Sequence, residues 1–148
     1  MHLDDLDRVM AIEKDGFAHP WSADLIRREM IHDWSTILLA TEARRGPGGI
    51  PDEAILGFVV YWLVHDELHV LNIATAVEER RRGVGRALMD EAGARARKAG
   101  AVLATLEVRR SNTPAIAMYR ALGYRQVGIR PNYYVDEGED AIVMVKDL

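Results

Sequence analysis

There is no cysteine among the 148 residues, which excludes disulfides, thiolate metal ligands and a cysteine nucleophile. That absence fits a reducing compartment, and a cytoplasmic location is expected. No apolar run approaches the roughly 20 residues that cross a bilayer. The N-terminus, MHLDDLDRVM, is acidic and lacks the basic-then-apolar pattern of a signal peptide. Basic charge is not in excess either: 19 Lys and Arg stand against 23 Asp and Glu, a net charge of −4. A nucleic-acid-binding domain is normally clearly basic, so neither nucleic acid nor membrane is an expected partner. Internal repeats, linkers and low-complexity tracts are also missing. The length suits one domain spanning 1–148, since compact domains run to roughly 100–150 residues. An apolar share of 49% is enough for a core without staples. His65 and His69 are four apart but straddle an expected hairpin turn, so no metal site is expected.

The patterning that is present predicts an α/β protein. Residues 4–17 read as a helix, with Leu6, Val9, Met10, Ile12 and Phe17 mostly on one face. HPWS breaks the chain, and Ser22 caps a second helix to about Met30. Residues 35–41 read as a strand. Residues 42–53, with three Gly and two Pro in twelve positions, read as a loop. The apolar runs 54–64 and 67–77 flank HDE and predict a hairpin. A helix follows from Val84 to about Ala99 and stops at Gly100, its stripe formed by Val84, Leu88, Ala92, Ala96 and Ala99. Then come a strand (101–108) and a short helix (113–122) with Thr113 as cap and Pro114 in its first turn. Strands at 125–130 and 141–147 close the chain. The order is αα, βββ, α, β, α, ββ, one mixed sheet covered by helices.

The densest chemistry lies between the third strand and third helix. Arg80, Arg81, Arg82, Gly83, Val84, Gly85 and Arg86 put four arginines and two glycines into seven positions. A helix N-terminus presents unpaired N–H groups and partial positive charge. Glycines let phosphate approach those groups, and arginines add forked donors. The segment is therefore either a phosphate or pyrophosphate cradle or a tight turn with a solvated basic face. It is not a dinucleotide fingerprint, because Leu88 stands where a third glycine is needed. Nor is it a Walker A loop, because Arg86-Ala87 follows Gly85.

Three further residues stand out. Glu107 is the one acid inside an apolar strand, on the face of Leu103 and Thr105; it is a functional carboxylate or a sheet-end partner of Arg109. Tyr119, on a short apolar helix, reads as a core tyrosine with its hydroxyl satisfied. Asn112, just before the helix, reads as a turn or cap residue. Trp21, Tyr133 and Tyr134 sit in loop-like settings and either line a groove or anchor loops.

RRRGVG matches the Arg/Gln-x-x-Gly-x-Gly/Ala signature of the GNAT superfamily of N-acetyltransferases. HPWS, LNIATAVEERRRGVGRALM, LEVRRSNTPAIAMYRALGY and RPNYYVDEGEDAIVM resemble, in order and spacing, the ribosomal-protein alanine N-acetyltransferase family and its archaeal relatives. The resemblance implies a GNAT fold: a mixed, mostly antiparallel sheet of six to seven strands flanked by about four helices, its N-terminal strand missing or shortened. It implies acetyl-CoA as donor cosubstrate, no metal, and as acceptor a protein or peptide N-terminus, such as alanine of a ribosomal protein. Residues 80–86 would hold the pyrophosphate, the backbone of Ile73, Ala74 and Thr75 the pantetheine, and Asn112 would contact the cofactor. Glu107 would accept the amine proton, directly or through water, and Tyr119 would donate one to the leaving thiolate. Trp21 and Tyr134 would contact the acceptor. Lysine side chains or a small amine remain alternative acceptors, and an acyl-CoA-binding module without turnover is the alternative outside catalysis.

The chain also departs from the pattern. Val77 and Glu79 replace a customary proline and tyrosine ahead of the cradle, and Glu78 and Glu79 put negative charge beside a phosphate site. Pro131 stands where a second arginine is common, and the 42–53 segment is longer than expected.

Overall fold

Residues 42–53 are not an open loop. In the computed structural model, which describes all 148 residues, β1 runs over Ser35–Arg45 and β2 over Pro51–Val64. A tight turn joins them: the Gly46 amide donates to the Ile50 carbonyl at 2.8 Å, and Gly48 and Gly49 take positive φ. The three glycines and Pro47 are thus confined to the turn and Pro51 opens β2, while the charged residues around them belong to strand ends.

The helices α1 (Leu6–Gly16), α2 (Ala23–Glu29), α3 (Val84–Lys98) and α4 (Thr113–Ala121) accompany β3 (Glu67–Thr75), β4 (Leu103–Arg109), β5 (Arg125–Tyr134) and β6 (Glu139–Asp147). The six-stranded sheet has the order β1-β2-β3-β4-β6-β5. β3 and β4 are parallel, and β6 is antiparallel to both β4 and β5. This is the expected mixed α/β fold at the lower strand number, and the first element of any length is α1.

Two compact units divide the chain, residues 1–61 with 72–92 and residues 62–71 with 93–148. In the first, α1 buries Leu6, Val9, Met10 and Ile12 as its spacing requires, each burial contributing roughly 1.5–3 kcal/mol. The same face also buries Glu13. Ser22 caps α2 by accepting the Leu25 amide at 3.1 Å. Gly57 on β2 marks a close approach: a Cβ there would meet the Ala74 carbonyl at 2.7 Å and Val84 Cγ1 at 3.1 Å.

In the second unit, β4 buries Ala104, Leu106 and Val108 and turns Leu103, Thr105, Glu107 and Arg109 the other way. The α3 stripe ends at Ala96; Ala99 is exposed. Asn112, rather than Thr113, caps α4, its Oδ1 accepting the Ala115 amide at 3.3 Å. β5 runs four residues past the expected Arg130, so Tyr133 and Tyr134 lie in a strand and not a loop. Its register against β6 shifts between Arg130 and Tyr134. Pro131 explains the shift: it has no N–H for the ladder and is tolerated on this edge strand. Asn132 follows with φ +50°, its amide held by Asp140 Oδ1 at 3.0 Å.

Candidate active site

The first unit carries the turn. β3 ends at Thr75, a short 3-10 turn covers Val77–Glu79, and α3 begins at Val84. The first helical bond there runs from the Ala87 amide to the Gly83 carbonyl at 2.9 Å. The N–H groups of Val84, Gly85 and Arg86 thus precede the intrahelical ladder. Arg81 and Gly83 both take left-handed φ, +64° and +78°, and nothing lies within 4 Å of where a Gly83 Cβ would stand. Amides outside the helical ladder, open space at Gly83 and the positive end of a fifteen-residue helix suit a phosphate-bearing ligand.

The arginines divide. Arg80 and Arg81 are exposed and make no ion pair with a carboxylate. Arg86 lies 3.8 Å from Asp90 one turn on. Arg82 is instead bonded to Glu79 and, through Nη2, to Glu42 Oε1 at 2.8 Å. The charges of Glu78 and Glu79 are therefore not open repulsion beside the turn: Glu78 pairs with Arg8 at 2.8 Å, and Glu79 is buried between Arg44 and Arg82. Hydrogen bonds from these arginines hold both carboxyls below the usual carboxylate range.

Ile73, Ala74 and Thr75 lie beyond the last β3–β4 register pair, Val70↔Leu106. Just before them, Asn72 donates through Nδ2 to Glu13 Oε2 at 2.9 Å, and the Trp21 amide donates to Glu13 Oε1 at 2.9 Å. Trp21, in the turn ahead of α2, is half-buried. Burial pushes the Glu13 carboxyl up, and its two hydrogen bonds oppose that. Glu13 and Asn72 escaped the sequence reading, although Glu13 stands four residues after Val9 and three after Met10, on the apolar stripe.

The second unit brings the other candidates together. Glu107 pairs with Arg130 Nη2 at 3.3 Å across β6, not with Arg109. Arg109 instead lies over the Tyr134 ring at 3.9 Å, bonded to Glu137 and 3.7 Å from Glu139. Tyr134 is half-buried and meets Tyr133 edge-on at 5.1 Å. Its phenol is pushed up by burial, opposed by Arg109 and aided by Tyr133, Glu107 and Glu139. Tyr119 on α4 is 5% exposed, and burial raises its phenol well above the ordinary value, with Tyr124 and Tyr134 adding to the rise. Burial also pushes the Tyr124 phenol up to about 12. Glu107 and Tyr119, a carboxylate and a buried phenol, are an acceptor and a donor within one unit. Asn112 is half-buried; capping uses its Oδ1 and leaves Nδ2 for another partner.

The fold, with a glycine–arginine turn opening its third helix, is that of an α/β acyltransferase. The acetyltransferase (GNAT) family pattern matches residues 6–124, and the chain belongs to that family. It is an acetyl-CoA-dependent N-acetyltransferase. It is similar to the Escherichia coli ribosomal protein bS18-alanine N-acetyltransferase, 33% identical over 142 residues, 95% of this chain and 89% of that protein. The crystal structure of the E. coli enzyme superposes with a TM-score of 0.84 over 99% of this chain and 90% of that one. A Bacillus subtilis protein provisionally named for the same activity is 35% identical over 97% of this chain and 90% of its own length. Arabidopsis thaliana NAA60, crystallised with acetyl-CoA, shares the fold at 18% identity, with a TM-score of 0.85 over 100% of this chain and 96% of that one.

Proposed function

We propose that the protein acetylates the α-amine of a protein N-terminus, with alanine of a ribosomal protein as the favoured acceptor, in the cytoplasm. The likeness to the E. coli bS18-alanine N-acetyltransferase over nearly the whole chain supports the acceptor class. The observation that supports the mechanism is the presence within one unit of the Glu107 carboxylate, 3.3 Å from Arg130, and the buried Tyr119 phenol, a proton acceptor and a proton donor.

Acetyl-CoA supplies an acetyl thioester, whose carbonyl carbon the amine attacks and whose sulfur leaves. The amides at 83–86, with Arg80, Arg81 and Arg86, hold the diphosphate. Strand amides at Ile73–Thr75 pair with the pantetheine and can polarise the thioester carbonyl, and Asn112 adds a donor through Nδ2. An α-amine titrates near ~7.7–8.0, so a carboxylate is base enough to take its proton in the transition state. Glu107 takes it, directly or through a water, as the C–N bond forms. Tyr119, kept neutral by burial, gives its proton to sulfur as the C–S bond breaks, and recovers one from solvent. Trp21 and Tyr134 flank the acceptor.

The test is incubation with acetyl-CoA and short peptides differing only in the first residue, with the same peptides N-terminally blocked as a second arm and products read by mass spectrometry. A single added acetyl on the free α-amine, strongest for alanine, is the expected result. Acetylation of blocked, lysine-containing peptides alone would move the acceptor to a side chain.

A further inference from the structure

Arg82 stands inside the signature, yet its guanidinium is spent on the protein. Glu79 is 5% exposed and both its oxygens are taken, Oε1 by Arg44 Nη2 at 2.5 Å and Oε2 by Arg82. Arg82 Nη2 reaches Glu42 Oε1 at 2.8 Å, and Glu42 Oε2 returns to Arg44 Nη2 at 2.8 Å. The four side chains close a ring, Arg82–Glu79–Arg44–Glu42, with two charges of each sign. It ties the turn to β1, whose outer end carries Glu42 and Arg44.

The ring sits where the backbone needs it. Arg82 is flanked by Arg81 and Gly83, both left-handed at φ +64° and +78°. For arginine that conformation is disfavoured and persists only where surrounding contacts over-determine it. A buried carboxylate losing one of two arginines would be left partly uncompensated, so moving Arg82 to a ligand carries a penalty that Arg80, Arg81 and Arg86 do not face.

We propose that Arg82 is a positioning residue: clasped by Glu79 and Glu42, it fixes the turn so that the amides of 83–86 face a phosphate, and it does not itself grip the ligand. This rests on the reading that residues 80–86 hold the CoA diphosphate. It also explains the glutamate at 79, which the sequence pattern marks only as an unfavourable replacement.

The test combines a ligand-free and a ligand-bound measurement on the full chain. In Glu79→Gln, amide exchange at Arg81, Arg82 and Gly83 without ligand should accelerate, and calorimetry should show CoA binding weakened about tenfold. Arg82→Met should weaken binding to the same extent while keeping the parent's dependence on sodium chloride concentration, whereas Arg81→Met should flatten it. Should Arg82→Met unfold, the double variant Glu79→Gln/Arg82→Met, which leaves no buried charge, takes its place and should bind no worse than Glu79→Gln. Tighter CoA binding in Glu79→Gln would mean that a freed Arg82 grips phosphate, and would overturn the proposal. So would unchanged exchange in the turn, or a flattened salt dependence in Arg82→Met. If Gly83→Asp bound CoA like the parent, the cradle reading would fail, and the ligand-free exchange would still decide the clasp.

Discussion

Asn72 Nδ2 donates to Glu13 Oε2 at 2.9 Å, and the other oxygen of the same buried carboxylate accepts the Trp21 amide. One side chain of α1 thereby ties the turn ahead of α2 to β3, immediately before Ile73.

That tie has a pH signature. Burial raises the Glu13 carboxyl in the folded state, so between its unfolded and folded pKa values the native protein binds more protons than the unfolded chain. Stability contributed at Glu13 therefore falls as pH rises through that window, above the ordinary carboxylate range. Glu42, Glu78, Glu79 and Glu139 are lowered by their hydrogen bonds and behave oppositely: their contribution is present above the ordinary range and is lost on acidification. Glu13→Gln, with Asn72 turning its carbonyl toward the new amide, should remove the first component. Urea titrations across pH should show the variant gaining on the parent as pH rises. A difference independent of pH would contradict the assignment.

Glu107→Gln and Tyr119→Phe should each lower kcat by on the order of 10²–10⁴, the usual range for a lost acid or base. Affinity for acetyl-CoA, read by calorimetry, should stay within about twofold, because neither side chain belongs to the turn. Tyr119→Phe keeps the ring against Tyr124, whose centroid is 5.9 Å away, so its thermal transition should move little. Loss of cofactor affinity in step with kcat would place both residues in binding instead of proton transfer.

Most of this fold is legible in the sequence because each element's pattern agrees with its environment. The 3.6-residue stripe of α1, the Ser22 cap and the alternation of β4 all follow from local rules, and Glu107 falls on the predicted face. What escaped depends on partners far away in the chain. Gly57 looks like any strand glycine until Ala74 and Val84 approach it. Glu79 looks like misplaced charge until Arg44, 35 residues earlier, covers it. The neighbour of Glu107 is not Arg109 but Arg130, because β6 brings β5 alongside.

Gly57 makes a prediction of its own. An added methyl would meet a backbone carbonyl at 2.7 Å, and backbone yields less readily than a side-chain end. Gly57→Ala should cost about 1–3 kcal/mol. The strain falls on Ala74 and on Val84 at the start of α3, so acetyl-CoA affinity should drop along with the midpoint of thermal unfolding. A variant that melts earlier but binds the cofactor normally would show that β2 moves instead.

Gly83→Asp separates the cradle from the scaffold. Nothing stands within 4 Å of the new Cβ, and aspartate tolerates the left-handed conformation better than most residues. The fold should persist by circular dichroism, while an added anion at the helix N-terminus proposed to hold phosphate should weaken acetyl-CoA binding tenfold or more, on the order of a few kcal/mol at most. Preserved affinity would locate the diphosphate elsewhere.

The last prediction concerns the acceptor. Arg109 holds the Tyr134 ring from one face at 3.9 Å and is itself held by Glu137 and Glu139. A cation–π contact of this kind is worth about 0.5–2 kcal/mol. If Tyr134 flanks the peptide, Tyr134→Ala should raise the peptide KM by roughly 3–30-fold, while Tyr134→Phe, which keeps the ring, should stay close to the parent. Arg109→Gln should resemble Tyr134→Ala, because the ring loses its support and two carboxylates lose their counter-charge. Neither change should alter the KM for acetyl-CoA. A shift in that constant, with the peptide KM unmoved, would assign Tyr134 to the donor side of the reaction.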